Sequence, residues 1–157
     1  MSLIAYKDGI IAADTGEFMD DIIVGHSPKI KKIDFAYPGT ALLAAVGWSS
    51  ASQVFFNAKF SINSFDQLQI KAEREFETPD DFQGIAIVKL NNGPDITLYT
   101  VDQTFGCTPI HADCIALGSA YAFLYGAMAA GCSAQRAVEL AMNHTTAGAG
   151  VVKTIQF

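Results

Sequence analysis

Charge is scarce in this chain, and basic charge is scarcest. Of its 157 residues, 17% are Asp, Glu, Lys or Arg, and ten Lys and Arg face sixteen Asp and Glu for a net charge of -6. A nucleic-acid binder needs clustered cations to neutralise phosphates. The one local cluster, Lys29, Lys31 and Lys32, is too small to supply them. Cysteine is equally thin: Cys107, Cys114 and Cys132 are an odd set without CxxC spacing, which argues against a disulfide scaffold or a zinc knuckle. Reduced thiols in a cytoplasmic protein are the simpler expectation. His26, His111 and His144 stand far apart and make no metal-ligand pattern, so neither metal nor cofactor is expected. No secretory signal is read in Met1 to Gly16, where Lys7, Asp8 and Asp14 interrupt short apolar runs. What the chain has in quantity is apolar residues, 50% of the total, enough to bury a full core and to exclude disorder. A single domain over residues 1–157 is expected.

Cys114 to Gln135 carries no charge and is long enough to raise a membrane span. Gly131-Cys132-Ser133 splits it, so a buried helix between two layers is the preferred reading. Elsewhere the first half reads as strands. Asp8-Gly9 is a type I′ hairpin signal between Ser2–Lys7 and Ile10–Asp14, pairing Lys7 with Ile10, Ala5 with Ala12 and Leu3 with Asp14. That register delivers an ionisable group, Asp14, to the chain's own N-terminus. Thr15–Ser27 reads as a loop, Lys29–Asp34 as a half-exposed strand, Tyr37-Pro38-Gly39 as a turn and Ala41–Val46 as a buried strand. A helix capped at Ser49-Ser50 is expected to run through Val54, Phe55, Phe56 and Phe60, and a second to cover Phe65–Phe76. Strands follow at Gly84–Leu90 and Asp95–Val101 around the Asn91-Asn92-Gly93-Pro94 turn, with shorter ones at Cys107–Ile110 and Cys114–Leu117. Helices at Ser119–Ala130 and Ser133–Asn143 and a strand at Val151–Gln156 close the chain. Strands, helices, strands, helices, strand is the order of a layered α+β fold.

Four segments in this order resemble the proteasome β-type subunits and the proteolytic subunit of the bacterial ATP-dependent protease built like a simple proteasome. They are Leu3–Thr15 (LIAYKDGIIAADT), Pro28–Ile33, Leu42–Gly47 and Asp113–Ser119; the resemblance covers most of the chain in order, while Ser61–Asp81 matches nothing specifically. The resemblance implies a four-layer αββα sandwich, N-terminal-nucleophile hydrolysis of a peptide or amide, and a homo-oligomeric ring. It also raises an ATPase unfoldase as a partner without identifying one. In that family the first mature residue supplies the nucleophile through its side chain and the general base through its α-amino group. An α-amino pKa near ~8 suits that work.

Carried over residue by residue, the resemblance implies that Asp14 and Lys29 tune the amine, that Gly47 offers an oxyanion N–H, and that Ser119 supports the site. Direct matching of the first strand puts Met1 at the nucleophile's place. Shortening each hairpin arm by two residues keeps the pleat and puts Ser2 there, freed by loss of Met1, and this register is preferred. Thr145 and Gly148 stand near where the family has an acidic residue and a serine. Lys29 Nζ is expected about 3–4 Å from Asp14 or Ser2 if the three converge. Three readings therefore stand: an enzyme using Ser2, a catalytically silent shell subunit, and a small-molecule-binding or regulatory domain on an unrelated scaffold. Without the resemblance, Asp14 and Lys29 would read as solvated strand residues and Ser119 as a helix cap.

Overall fold

The chain folds back on itself within its first fourteen residues. Asp8 and Gly9 both adopt positive φ (51° and 81°), as a type I′ turn requires, and join β1 (Leu3–Lys7) to β2 (Ile10–Ala13). The register pairs Lys7 with Ile10, Ala5 with Ala12 and Ile4 with Ala13. The computed structural model describes residues 1–35, 39–47, 49–63, 67–73, 81–91 and 93–157. They form two compact units: Met1–Ile30 with Ala112–Gln156, and Lys31–His111 with Phe157. The fold is mixed and strand-rich.

In the first unit the hairpin is the centre of an antiparallel sheet, with β12 (Cys114–Gly118) beside β1 and β13 (Lys153–Gln156) beside β2. Helices α2 (Tyr121–Ala129) and α3 (Ala134–His144) pack on it. The contact is built from small residues, Ala5, Ala12, Ala116, Ala137 and Ala141, around Leu3, Leu124, Met128 and Val138. Such short side chains let helix backbones lie close to a sheet. Ser133 caps α3 by accepting from the Arg136 N–H at 3.2 Å. Lys7 Nζ donates to the carbonyls of Met128 (2.8 Å) and Cys132 (3.2 Å), placing a cation at the negative end of α2.

The second unit holds a five-stranded sheet in the order β11-β10-β9-β6-β5, formed by Cys107–Ile110, Ile96–Val101, Gln83–Leu90, Gly39–Val46 and Ile30–Phe35. Helix α1 (Ser49–Phe56) contributes Phe55, whose ring lies 5.6–5.8 Å from those of Phe56, Phe60, Phe82 and Phe105. Tilted and edge-on rings at this spacing pack favourably within the unit's core.

Four expectations are overturned. The Thr15–Ser27 loop contains a hairpin, β3 (Gly16–Met19) and β4 (Ile22–His26), turned at Asp20 with φ 53°. The first helix stops at Phe56, and Phe60 lies on β7 (Lys59–Ile62). Where a second helix was expected, Leu68–Lys71 forms β8, paired antiparallel with β7; 64–66 and 74–80 lie outside the described residues. Helix α2 is not buried: Leu124 and Met128 are its buried residues, while Tyr121, Phe123 and Tyr125 are exposed. Tyr37, Pro38 and Asn92 of the expected turns also lie outside the described residues, and Gly39 opens β6.

Candidate active site

Asp14 follows β2 directly, and the hairpin register sets it beside Leu3. Its N–H donates to the Leu3 carbonyl at 3.1 Å, and the Leu3 N–H donates back to Asp14 Oδ1 at 2.8 Å. Asp14 is completely buried, so its carboxylate needs partners. It has two more: Lys29 Nζ at 2.8 Å from Oδ1, and the Ala149 N–H at 3.1 Å from Oδ2. Lys29 stands just before β5 and is 7% exposed. Burial pushes its ammonium below the usual lysine value of 10.5, and the adjacent Asp14 charge works against that shift. The pair is therefore a dry ion pair, with Lys29 closer to losing its proton than a surface lysine.

Ser2 is held from both sides. Its carbonyl accepts from the Ser119 N–H at 3.0 Å, and the residue that follows it is pinned to Asp14. Lys29 Nζ also reaches the carbonyl oxygen of Met1 at 3.5 Å, so the lysine faces the peptide group that links Met1 to Ser2. Ser2, Asp14 and Lys29 thus meet at one place in the first unit. Ser119 reaches it through its backbone, its side chain belongs to an exposed residue, and it does not cap α2. The cap position is Ala120 and has no side-chain cap. Gly47 lies in the second unit at φ 112°, where a Cβ would press on the Phe82 backbone at 3.1 Å.

Three contributors escaped the sequence reading. Ala149 supplies a backbone donor to Asp14, and its carbonyl accepts from the Gly16 N–H at 2.9 Å. Thr15 Oγ1 accepts from the Val151 N–H at 3.1 Å and lies 3.3 Å from His26 Nδ1, tying the same strap to β2. Gly118, at φ 99°, lies so close to the Ser2 carbonyl that any Cβ would overlap it. Thr145 does not face Asp14: its hydroxyl donates to the Ala141 carbonyl (2.7 Å) and accepts from the Ala147 N–H (3.2 Å). Among the described residues no three His, Cys, Asp or Glu side chains gather where a metal could be held. No helix among them is long and apolar enough to cross a membrane.

No protein-family model and no curated protein matches the chain. Solved structures do. The chain is similar to the Anbu (Gly-1) mutant from Hyphomicrobium sp. strain MC1, with TM-score 0.70 and 9% identity over 100% of this chain and 82% of that one. It is similar to Anbu from Pseudomonas aeruginosa, solved as a helical assembly of the complex, with TM-score 0.65 and 9% identity over 99% and 80% of the two chains. Eukaryotic HslV from Trypanosoma brucei matches with TM-score 0.54 and 16% identity over 99% of each chain. At such identities the likeness is one of fold: the chain has the fold of proteasome-like subunits.

Proposed function

We propose that the chain is an N-terminal-nucleophile hydrolase of amides or peptides that acts through Ser2 once Met1 is removed. The observation that carries this reading is the buried Asp14–Lys29 pair set against the backbone that follows Ser2. A dry ion pair has a desolvation cost that simple stability does not require, and its position beside a chain end gives that cost a use. In the proposed step the Ser2 hydroxyl oxygen bonds to the substrate carbonyl carbon, and its proton passes to the free α-amine. Collapse of the tetrahedral oxyanion breaks the C–N bond, and the ammonium returns the proton to the departing amine. Water, deprotonated by the same amine, then cleaves the Ser2 ester. Lys29 and Asp14 set the charge around that amine. Gly47 and Ser119 keep the oxyanion and supporting roles that the resemblance assigns to them. The same reading takes residues 1–157 as one domain in a four-layer αββα sandwich, working as a homo-oligomer. The likeness to Anbu over the whole chain supports this.

The contact between Lys29 and the Met1 carbonyl favours a second reading. With Met1 attached, Ser2 has an amide where the base should be, and an amide nitrogen does not accept the hydroxyl proton near neutral pH. A chain that keeps Met1 would then be a silent proteasome-like shell subunit. Intact mass of the native protein decides which form exists. The processed form is expected to hydrolyse a small peptide amide or ester, Ser2→Thr to retain turnover, and Ser2→Ala and the Met1-bearing form to be inert. Identical behaviour of processed protein and Ser2→Ala across a panel of amides would establish the silent reading.

A further inference from the structure

The outer hairpin of the first unit is apolar where a free surface would be polar. Met19 and Ile22 are paired directly across β3 and β4 and are 66% and 69% exposed, followed by Ile23 and Val24 at 52% and 56%. Its tip is the acidic pair Asp20-Asp21, both exposed. A two-stranded hairpin showing this much contiguous apolar surface is an interaction site rather than ordinary surface.

The second unit holds the complement. An open groove of about 920 Å³ is lined by β5, the end of α1 and the β7–β8 hairpin, with Ile33 and Phe60 among its apolar residues. Lys59 and Lys71 stand directly opposite each other across β7 and β8. Like charges so placed repel, and among the described residues no carboxylate pairs with either. Lys31 lines the same groove, with its Nζ on the Phe56 carbonyl at 2.7 Å, and these three lysines face two groove carboxylates, Asp34 and Glu73. In a chain of net charge -6, a groove whose described lining carries three lysines against two carboxylates beside apolar side chains calls for an acidic, apolar guest.

We infer that the β3–β4 hairpin of one copy seats in the β7–β8 groove of a second copy, with Asp20 and Asp21 against Lys59 and Lys71. Both halves of the contact are present in this one chain, which is why the partner is another copy. Because the two patches differ, the contact is head-to-tail and propagates into a closed ring or a helical filament. The inference rests on the homo-oligomeric part of the reading above and gives it an interface.

The test is a charge exchange followed by sedimentation, with circular dichroism confirming that each variant is folded. One variant carries Asp20→Asn with Asp21→Lys, and the other Lys59→Glu with Lys71→Glu. Asp20→Asn is chosen because asparagine tolerates the positive φ there. Each variant alone is expected to self-associate about tenfold or more weakly than the unmodified chain. An equimolar mixture is expected to assemble again, since each hairpin then meets a groove of opposite charge. Three results would overturn the inference: a folded variant assembling like the parent, a mixture that fails to recover, or a parent that stays at the 16.8 kDa of one chain. Hydrolysis by a monomer would sink this interface and leave Ser2 standing, while an assembled but inert chain would do the reverse.

Discussion

Replacing Asp14 by Asn tests how dry the Ser2 site is. The side chain keeps its shape, yet the charge opposite Lys29 disappears. Asp14 accepts three hydrogen bonds, from the Leu3 N–H, Lys29 Nζ and the Ala149 N–H, and an amide has only one oxygen to share among them. Whichever way the amide turns, a buried donor faces another donor. Breaking one side of a buried ion pair costs about 3–5 kcal/mol, a large part of the roughly 5–15 kcal/mol that holds a domain together. With a urea slope of about 2 kcal/mol/M, the midpoint should fall by about 2 M at neutral pH with the slope unchanged.

The pH dependence adds a sign. Lys29 already deprotonates below 10.5 in the folded chain, and losing Asp14 lowers it further. Below that folded value the buried ammonium exacts its full cost. As pH rises through it toward 10.5, the unfolded chain holds the extra proton and the folded variant regains stability. Adding Lys29→Met should recover part of the loss, because it removes the orphaned charge. An unfolding free energy within about 0.5 kcal/mol of the parent would refute the reasoning, since only a water-filled site could replace those bonds so cheaply.

Gly118→Ala should cost about 2 kcal/mol or more in urea unfolding, because it adds a collision with the Ser2 carbonyl to the strain of φ 99°. Gly131→Ala, at the same φ but with open space around it, should cost only about 1 kcal/mol. Equal losses would show that the Ser2 strand yields freely. The Cys107 thiol is pushed up from 9.0 to about 11, first by burial and then by the Asp102 charge, so its stabilising effect is complete below pH 9 and lost as pH rises through 11. Cys107→Ala should remove that part of the alkaline slope, and ultraviolet titration of its thiolate should lie above that of a free cysteine; an unchanged slope would mean that the thiol is solvated.

Elements whose turn residues or apolar pattern mark what is buried were open to reading from sequence. The first hairpin is the best case, since Asp8-Gly9 admits one turn geometry and the turn sets every pairing back to Asp14. The continuous apolar run of β6 marks a strand buried on both faces, and the Ala-Val stripe of α3 has the helical period. Reading failed where apolar residues do not mark a buried side. Ile22, Ile23 and Val24 are consecutive and all exposed, so β4 showed neither alternation nor core, and Gly16, Asp20-Asp21 and Gly25 made the stretch resemble a loop. In β8 only Leu68 is buried, which is too little alternation to distinguish a strand from a polar helix. The absence of charge from Cys114 to Gln135 does not mark burial, since α2 turns Tyr121, Phe123 and Tyr125 outward.

The candidate site divides along the same line, between side chains and backbone. Asp14 and Lys29 could be named because a carboxylate and an ammonium are visible as letters, and a hairpin register tied one of them to the N-terminus. The Ala149 N–H could not, because alanine announces no donor and stands 135 positions from the carboxylate it serves. Gly118 was equally silent: a glycine after a strand has many uses, and only the approach of the Ser2 carbonyl distinguishes this one. These backbone contributions are what make the ion pair tolerable. A buried carboxylate with Lys29 alone would leave Oδ2 unsatisfied; the Ala149 N–H removes that cost, and the Leu3 N–H adds a second bond to Oδ1 beside Lys29. The strap at residues 149–151 is therefore as much a part of the Asp14 site as Lys29 is. Substitutions that shift its backbone should act on Asp14 without changing any ionisable residue.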